Sequence, residues 1–181
     1  WLKVEAGLRR RLSVLAEDKT ELSLLAAPVL LALQDEGAEI DGPQKWLQTA
    51  DRIRAAATLQ PALPSGLTAE LRPYQVEGFH WLSRLAMWAP GAVLADDMGL
   101  GKTIQALALL LRRQALGPAM VVAPTSLGFN WIREAAKFAP ELEMRALRGK
   151  ADVAVLDDLR PGVVVVTIYN IVILQPPRLR E

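Results

Sequence analysis

The stretch AVLADDMGLGKTIQALALLL, residues 92–111, constrains the fold of this chain more than any other. A short apolar run at 92–95 leads into two acids and two glycines, Gly99 and Gly101. A segment with apolar residues at helical spacing follows. That order reads as strand, tight loop, helix. The glycines let the backbone curl so that successive N–H groups point at one anion. Lys102 adds a point charge suited to the β and γ phosphates of a nucleotide, and Thr103 a hydroxyl for Mg²⁺. The helix opening at Lys102 turns its positive end to the same place. The strict phosphate-loop pattern asks for a glycine where Asp96 stands, so the pattern fails at its first position. The plainer alternative is a glycine turn with an incidental lysine.

The 181 residues are 51% hydrophobic, enough for one sizeable α/β core with a small extra region beside it. With 21 basic and 20 acidic residues the formal charge is +1, so any nucleic-acid or membrane partner must be met by a local patch. The absence of cysteine excludes disulfides, thiolate metal sites and a cysteine nucleophile. The single histidine, His80, excludes a histidine-rich metal site and is expected on a helix surface. The apolar runs 24–33 and 163–174 are shorter than the roughly 20 residues a bilayer requires. The amino terminus WLKVEAGLRRRL lacks a signal core, so the expectation is a soluble, intracellular protein with no membrane partner: cytoplasmic, and nucleoid-associated in a bacterial source or nuclear in a eukaryotic one.

Residues 1–65 read as a helical accessory region ending in a linker. Leu22, Leu25, Val29, Leu30 and Leu33 recur at helical spacing, with Asp18 and Glu21 as a capping pair and Gly37 as a stop. Pro28 is expected to kink or divide this helix, and a second is expected over 43–58. The stretch LQPALPSGL then breaks any helix. From residue 66 onward, β-branched runs alternate with helical stretches, as in βαβ units around a parallel sheet. Strands are expected at 92–95, 120–123, 143–147 and 163–167, and helices at 73–86, 102–114, 127–138 and 151–159.

Two further stretches carry chemistry. In LRPYQVEGFHWL, Pro73 suits the first helical position, and Leu71, Tyr74, Gly78 and Trp81 read as a packing face. A glutamine just inside such a helix, Gln75, has the paired carbonyl and amide that fit the edge of adenine. In VVAPTSLGFNWIREAAKFAPEL, a strand ends on Pro124 and the chain turns through Thr125 and Ser126 into a helix. Its hydroxyls suit phosphates of a nucleic-acid backbone, and Ser126 equally suits a simple helix cap.

In order along the chain, LRPYQVEGFHWL, VLADDMGLGKTIQALALL, VVAPTSLGFNWIREAAKFAPEL and VVVVTIYN resemble the motifs of the amino-terminal RecA-like lobe of Swi/Snf-type helicase-like ATPases of superfamily two. The resemblance spans about residues 71–170. It implies an α/β, RecA-like phosphate-loop fold over 66–181. It also implies an ATP- and Mg²⁺-dependent motor that tracks double-stranded DNA with little strand separation and acts on DNA-bound proteins. By position, Gln75 matches the adenine-reading glutamine. Asp97, Met98, Gly99, Leu100, Gly101, Lys102 and Thr103 match the nucleotide loop, with Lys102 and Thr103 in catalytic roles and Thr103 on the metal. Asp96 and Asp97 fall where this family often has Asp-Glu, so the missing first glycine fits it. Pro124, Thr125, Ser126, Asn130, Gly149, Thr167 and Tyr169 match DNA-tracking positions, and Ile168 departs from the usual small hydroxyl residue. Trp131 is expected near the DNA side, the other tryptophans as packing anchors.

Such a motor also needs an Asp-Glu motif on the strand after 163–167 and a second RecA-like lobe with arginine fingers, and these residues contain neither. The expectation is therefore an incomplete fragment that binds ATP without hydrolysing it alone. Asp157 and Asp158 in VAVLDDL imitate the acidic motif but precede the strand it should follow, so they are expected to be decoys. The competing functions are a non-catalytic nucleic-acid- or protein-binding module that kept the fold, and an unrelated phosphate-loop NTPase.

Overall fold

The computed structural model describes residues 27–37 and 44–174, which divide into two compact units. The first comprises 27–37, 44–60 and 82–93, and the second 61–81 and 94–174. This partition differs from a single boundary at 65.

In the first unit, α1 (Ala27–Asp35) packs on α2 (Gln44–Ala57), burying Leu31 and Leu33 with Ala50 and Ala56. Pro28 occupies the first turn of α1, where a missing N–H costs no helical bond. Gly37, at φ 96, donates its N–H to Gln34 O and stops the helix as expected. The Asp18–Glu21 pair, Leu22 and Leu25 lie outside the described residues.

Helix α3 (Pro73–Leu85) crosses from the second unit into the first. The second unit continues with α4 (Lys102–Arg113), a 3-10 turn (Gln114–Leu116), β1 (Ala119–Ala123), α5 (Gly128–Phe138) and β2 (Glu143–Leu147). A second 3-10 segment (Lys150–Leu156), β3 (Val163–Ile168) and α6 (Tyr169–Leu174) complete it. The strand order is β1-β3-β2, all parallel, with Val121 opposite Val166 and Arg145 opposite Val165. Val163, Val164, Val165, Val166 and Thr167 of β3 are all buried, so both faces of this strand are covered. On one face Val164 joins Leu107 and Leu111 of α4 and Ala135 of α5. On the other, Val163 and Val165 join Leu147 and Ile171, with Val155 and Leu156 packed against them.

Two sequence expectations are corrected. Residues 92–95 carry no strand, because a strand exists only through a ladder partner, and among the described residues β1 and β2 pair only with β3. Val93 is 83% exposed, so the run is apolar without being covered by a sheet. The helix expected over 151–159 is a 3-10 segment. Arg145 Nη1 donates to Val155 O and Asp158 O, taking carbonyls that a continuing α-helix would use itself. Where the lobe is expected to begin, Gly66 is buried, Leu67 packs on the core, and Thr68 satisfies the end of α5 through Lys137 O and Phe138 O.

Arg145, with its side chain 16% exposed, also bonds Glu143 Oε1 at 2.8 Å through Nε, and Nη2 lies 3.6 Å from Asp158 Oδ2. Arg160 pairs with the same two acids. Replacing Arg145 with Met should cost about 1–2 kcal/mol, at the low end for charge-assisted bonds because the acids are exposed. The melting temperature should fall by roughly 2–8 °C in a thermal scan. An unchanged melting temperature would show that this clasp adds nothing to stability.

Candidate nucleotide-binding loop and nucleic-acid edge

Helix α4 begins without a side-chain cap: its cap residue is Gly101, in the left-handed region at φ 79 and ψ 38. The first-turn N–H groups of Lys102, Thr103 and Ile104 are therefore free of side-chain competition from the cap, as an anion site requires. Gly99, at φ 87, makes the other left-handed turn, and Met98 at the tip is 97% exposed. Lys102 bolts the loop shut, with Nζ donating to Asp96 O at 2.5 Å and Asp97 O at 2.9 Å. A phosphate arriving here competes with these carbonyls for an ammonium already over the loop.

The side chain of Gln75 is committed to the protein. Its Oε1 accepts from Arg72 N–H at 2.9 Å and its Nε2 donates to Leu100 O at 3.1 Å. Tyr74 donates its hydroxyl to the same carbonyl at 3.3 Å. The amide faces the loop closely enough that a Cβ on Gly101 would fall on Gln75 Nε2. Gly101 is thus required twice, by its φ and by the side chain above it. Thr103 is partly buried on the first turn, placed to offer one oxygen to a cation held by phosphate oxygens. Among the described residues no group of three or more His, Asp or Glu could hold a metal ion by itself.

The second group of expected residues gathers by topology. Because all three strands are parallel, the segments after β1, β2 and β3 emerge at one edge of the sheet, where α/β folds place their ligands. Pro124, Thr125 and Ser126 are exposed there, Gly149 follows β2, and Tyr169, 54% exposed, follows β3. A cavity of about 380 Å³ opens at this edge, lined in part by Thr125, Phe129, Arg148 and Ile168. Ser126 is not the cap of α5, since Leu127 holds that position with no side-chain bond. Asn130 Oδ1 accepts from Arg133 Nη2 at 3.1 Å.

Thr167 also lines this cavity. It is 1% exposed and its hydroxyl donates to Leu147 O at 3.0 Å, so it ties two strands together. Trp131 packs against the core cluster of α4 and α5. His80 is not on the open surface either: its side chain is 15% exposed, with Nδ1 3.9 Å from Glu77 Oε2. Asp158 is engaged by Arg145 and Arg160.

A family model described as the SNF2-related domain matches residues 74–180, more than half of the chain. The chain belongs to the SNF2-related domain family. Within this family, the protein named Helicase SWR1 of Debaryomyces hansenii is 44% identical over 103 residues, which is 55% of this chain and 6% of the relative. A Bacillus subtilis protein named putative ATP-dependent helicase/translocase YwqA is 36% identical over 167 residues, 80% of this chain and 18% of the relative. The SWI2/SNF2 ATPase core of Sulfolobus solfataricus, solved in complex with double-stranded DNA, superposes with a TM-score of 0.60 at 35% identity. It covers 68% of this chain and 26% of that one. The SNF2-related segment described here therefore spans about a quarter of the solved core and less than a fifth of these curated relatives. Its fold is the RecA-like one, a parallel sheet flanked by helices.

Two residues escaped the sequence analysis of the site, Gln105 and, in its contact role, Gly78. Gln105 is 0% exposed on the buried face of α4 among Leu107, Ala108 and Leu111. A lone polar residue on an otherwise apolar helix face was the available signal.

The two left-handed glycines should respond differently to alanine. Gly99→Ala meets open space and should cost only backbone strain, about 1–2 kcal/mol. Gly101→Ala adds displacement of Gln75 and should cost more. Urea denaturation of both variants checks this, and equal losses would mean that the Gln75 contact carries no weight.

Proposed function

We propose that this chain is the nucleotide-binding lobe of an ATP-driven motor that moves on double-stranded DNA. The uncapped amino terminus of α4 carries the proposal, with left-handed Gly101 before it and the Lys102 ammonium over it. Membership of the SNF2-related family and the DNA named with the Sulfolobus solfataricus core support it. The loop from Asp97 to Thr103 holds the nucleotide. Its backbone N–H groups and Lys102 take the phosphates, and Thr103 would offer its hydroxyl to Mg²⁺. Mg²⁺ supplies neutralisation of phosphate charge when bound. Gln75 reads adenine by exchanging its bonds to Arg72 and Leu100 for bonds to the base. The sheet edge at Pro124, Thr125, Ser126, Asn130, Gly149 and Tyr169 takes the DNA backbone. The parent protein is a DNA-dependent ATPase, with a second lobe completing the cleft and DNA-bound proteins as its targets.

No described helix is long and apolar enough to cross a membrane. Thr167 lines the cavity at the sheet edge, with its hydroxyl donating to Leu147 O.

ATP·Mg²⁺ should bind weakly, because Lys102 and Gln75 must give up protein partners first. Lys102→Ala should remove most of the affinity, since charge-assisted bonds are each worth roughly 1.5–3 kcal/mol. Gln75→Ala should lower the preference for ATP over GTP. Calorimetric titration checks both, and equal affinity in wild type and Lys102→Ala would remove the loop as the site.

DNA affinity should fall with salt along a shallow line, because few cations adjoin Thr125 and Ser126. Log affinity changes by about −0.9 per phosphate neutralised, per unit of log salt, on duplex DNA. Anisotropy titrations of a labelled duplex at several salt concentrations measure the slope. A steep slope abolished by replacing Arg9, Arg10 and Arg11, which lie outside the described residues, would place the DNA site elsewhere.

A further inference from the structure

Gln105 presents a physical anomaly. Its side chain is fully buried, yet Oε1 has no hydrogen-bond partner. An orphaned buried carbonyl costs free energy that an apolar side chain of the same shape would not. The other half of the amide is engaged: Nε2 donates to Asp96 Oδ2 at 3.3 Å. Asp96 is therefore gripped twice from one turn of α4, at its carboxylate by Gln105 and at its carbonyl by Lys102. The orphaned oxygen is set in place by α3. A Cβ built on Gly78 would fall on Gln105 Oε1 and come within 3.0 Å of its Cδ, so only a glycine lets the helix approach the amide this closely. With Oε1 lodged against Gly78, Nε2 faces Asp96.

We infer that Gln105 is a positioning residue, which holds the Asp96 carboxylate against α4 and so sets where Lys102 and the phosphate loop stand, with Gly78 of α3 fixing its amide. The inference rests on the proposed nucleotide site and adds to it a link from α3, the helix that carries Gln75, to the loop's acidic start. Movement of α3 relative to α4 displaces the amide, and the amide displaces Asp96. The buried orphan oxygen is the cost of orienting the donor, which accounts for a polar residue where an apolar one would pack with less penalty.

The test separates stability from binding in the 181-residue chain. The readouts are the melting temperature and the affinity for a fluorescent ATP analogue with Mg²⁺. Gln105→Met keeps the shape and removes both polar atoms, so it should melt within a few degrees of wild type, or above it, and bind the analogue about fivefold or more weakly. Gln105→Glu sets a carboxylate against Asp96 and should weaken binding by about tenfold or more. Adding Asp96→Asn restores a donor opposite an acceptor and should recover most of that loss. Gly78→Ala should weaken binding in the wild type and have little further effect on Gln105→Ala, because both changes act through one contact. Normal binding by Gln105→Met, failure of Asp96→Asn to rescue, or a Gln105→Met chain melting far below wild type would each overturn the inference and leave the nucleotide site standing. Wild type indistinguishable from Lys102→Ala in binding would instead overturn the site itself, and this inference with it.

Discussion

The second unit depends on the burial of β3 on both faces. Five consecutive β-branched residues, Val163 to Thr167, leave no side free for water, so the strand requires a helical layer above and below. Helices α4 and α5 supply one layer, and the 3-10 segment with α6 supplies the other. Parallel neighbours follow, because each crossover must travel over a face of the sheet before the chain re-enters beside β3. Every strand then ends at the same edge. The gathering of Thr125, Ser126, Gly149 and Tyr169 is a consequence of that geometry and needs no contact among those residues.

The phosphate loop is organised on a different principle. It has no ladder bonds of its own, and its shape comes from side chains reaching into its backbone: Lys102 to Asp96 and Asp97, Gln75 and Tyr74 to Leu100, Gln105 to the Asp96 carboxylate. The loop takes its shape from side chains of α3 and α4, and these include the groups proposed to meet a nucleotide. On the proposed reading, binding exchanges these internal partners for phosphate and base. A side chain at Gly101 would both strain its left-handed backbone and displace the Gln75 amide that lies over it.

Much of the second unit was legible as a sequence. Strands at 120–123, 143–147 and 163–167 and helices at 73–86, 102–114 and 127–138 correspond to elements of the structure within one or two residues. They were legible because each element's own period or β-branched content announces it. The lack of a strand at 92–95 was not, because apolar character says that a run prefers burial and says nothing about whether an edge will pair with it. The 3-10 segment at Lys150–Leu156 was misjudged because its carbonyls are drawn off by Arg145, a residue of β2. Thr167 shows the same limit within the site. Its hydroxyl could serve an external phosphate as well as a neighbouring strand, and only the fold brings Leu147 O within its reach.

The sequence by itself determined the loop, the helix it opens, the parallel character of the sheet and the family, since all four rest on residue types at short fixed spacings. Tertiary structure alone decided how the polar side chains are used. Gln75 turns its amide on the loop, Gln105 is wedged by Gly78 toward Asp96, and Asp158 is taken by two arginines. The physical reason is that a hydrogen bond is specified by distance and direction between two groups, and for these groups the partner lies on another element, brought near only when apolar burial has folded the chain.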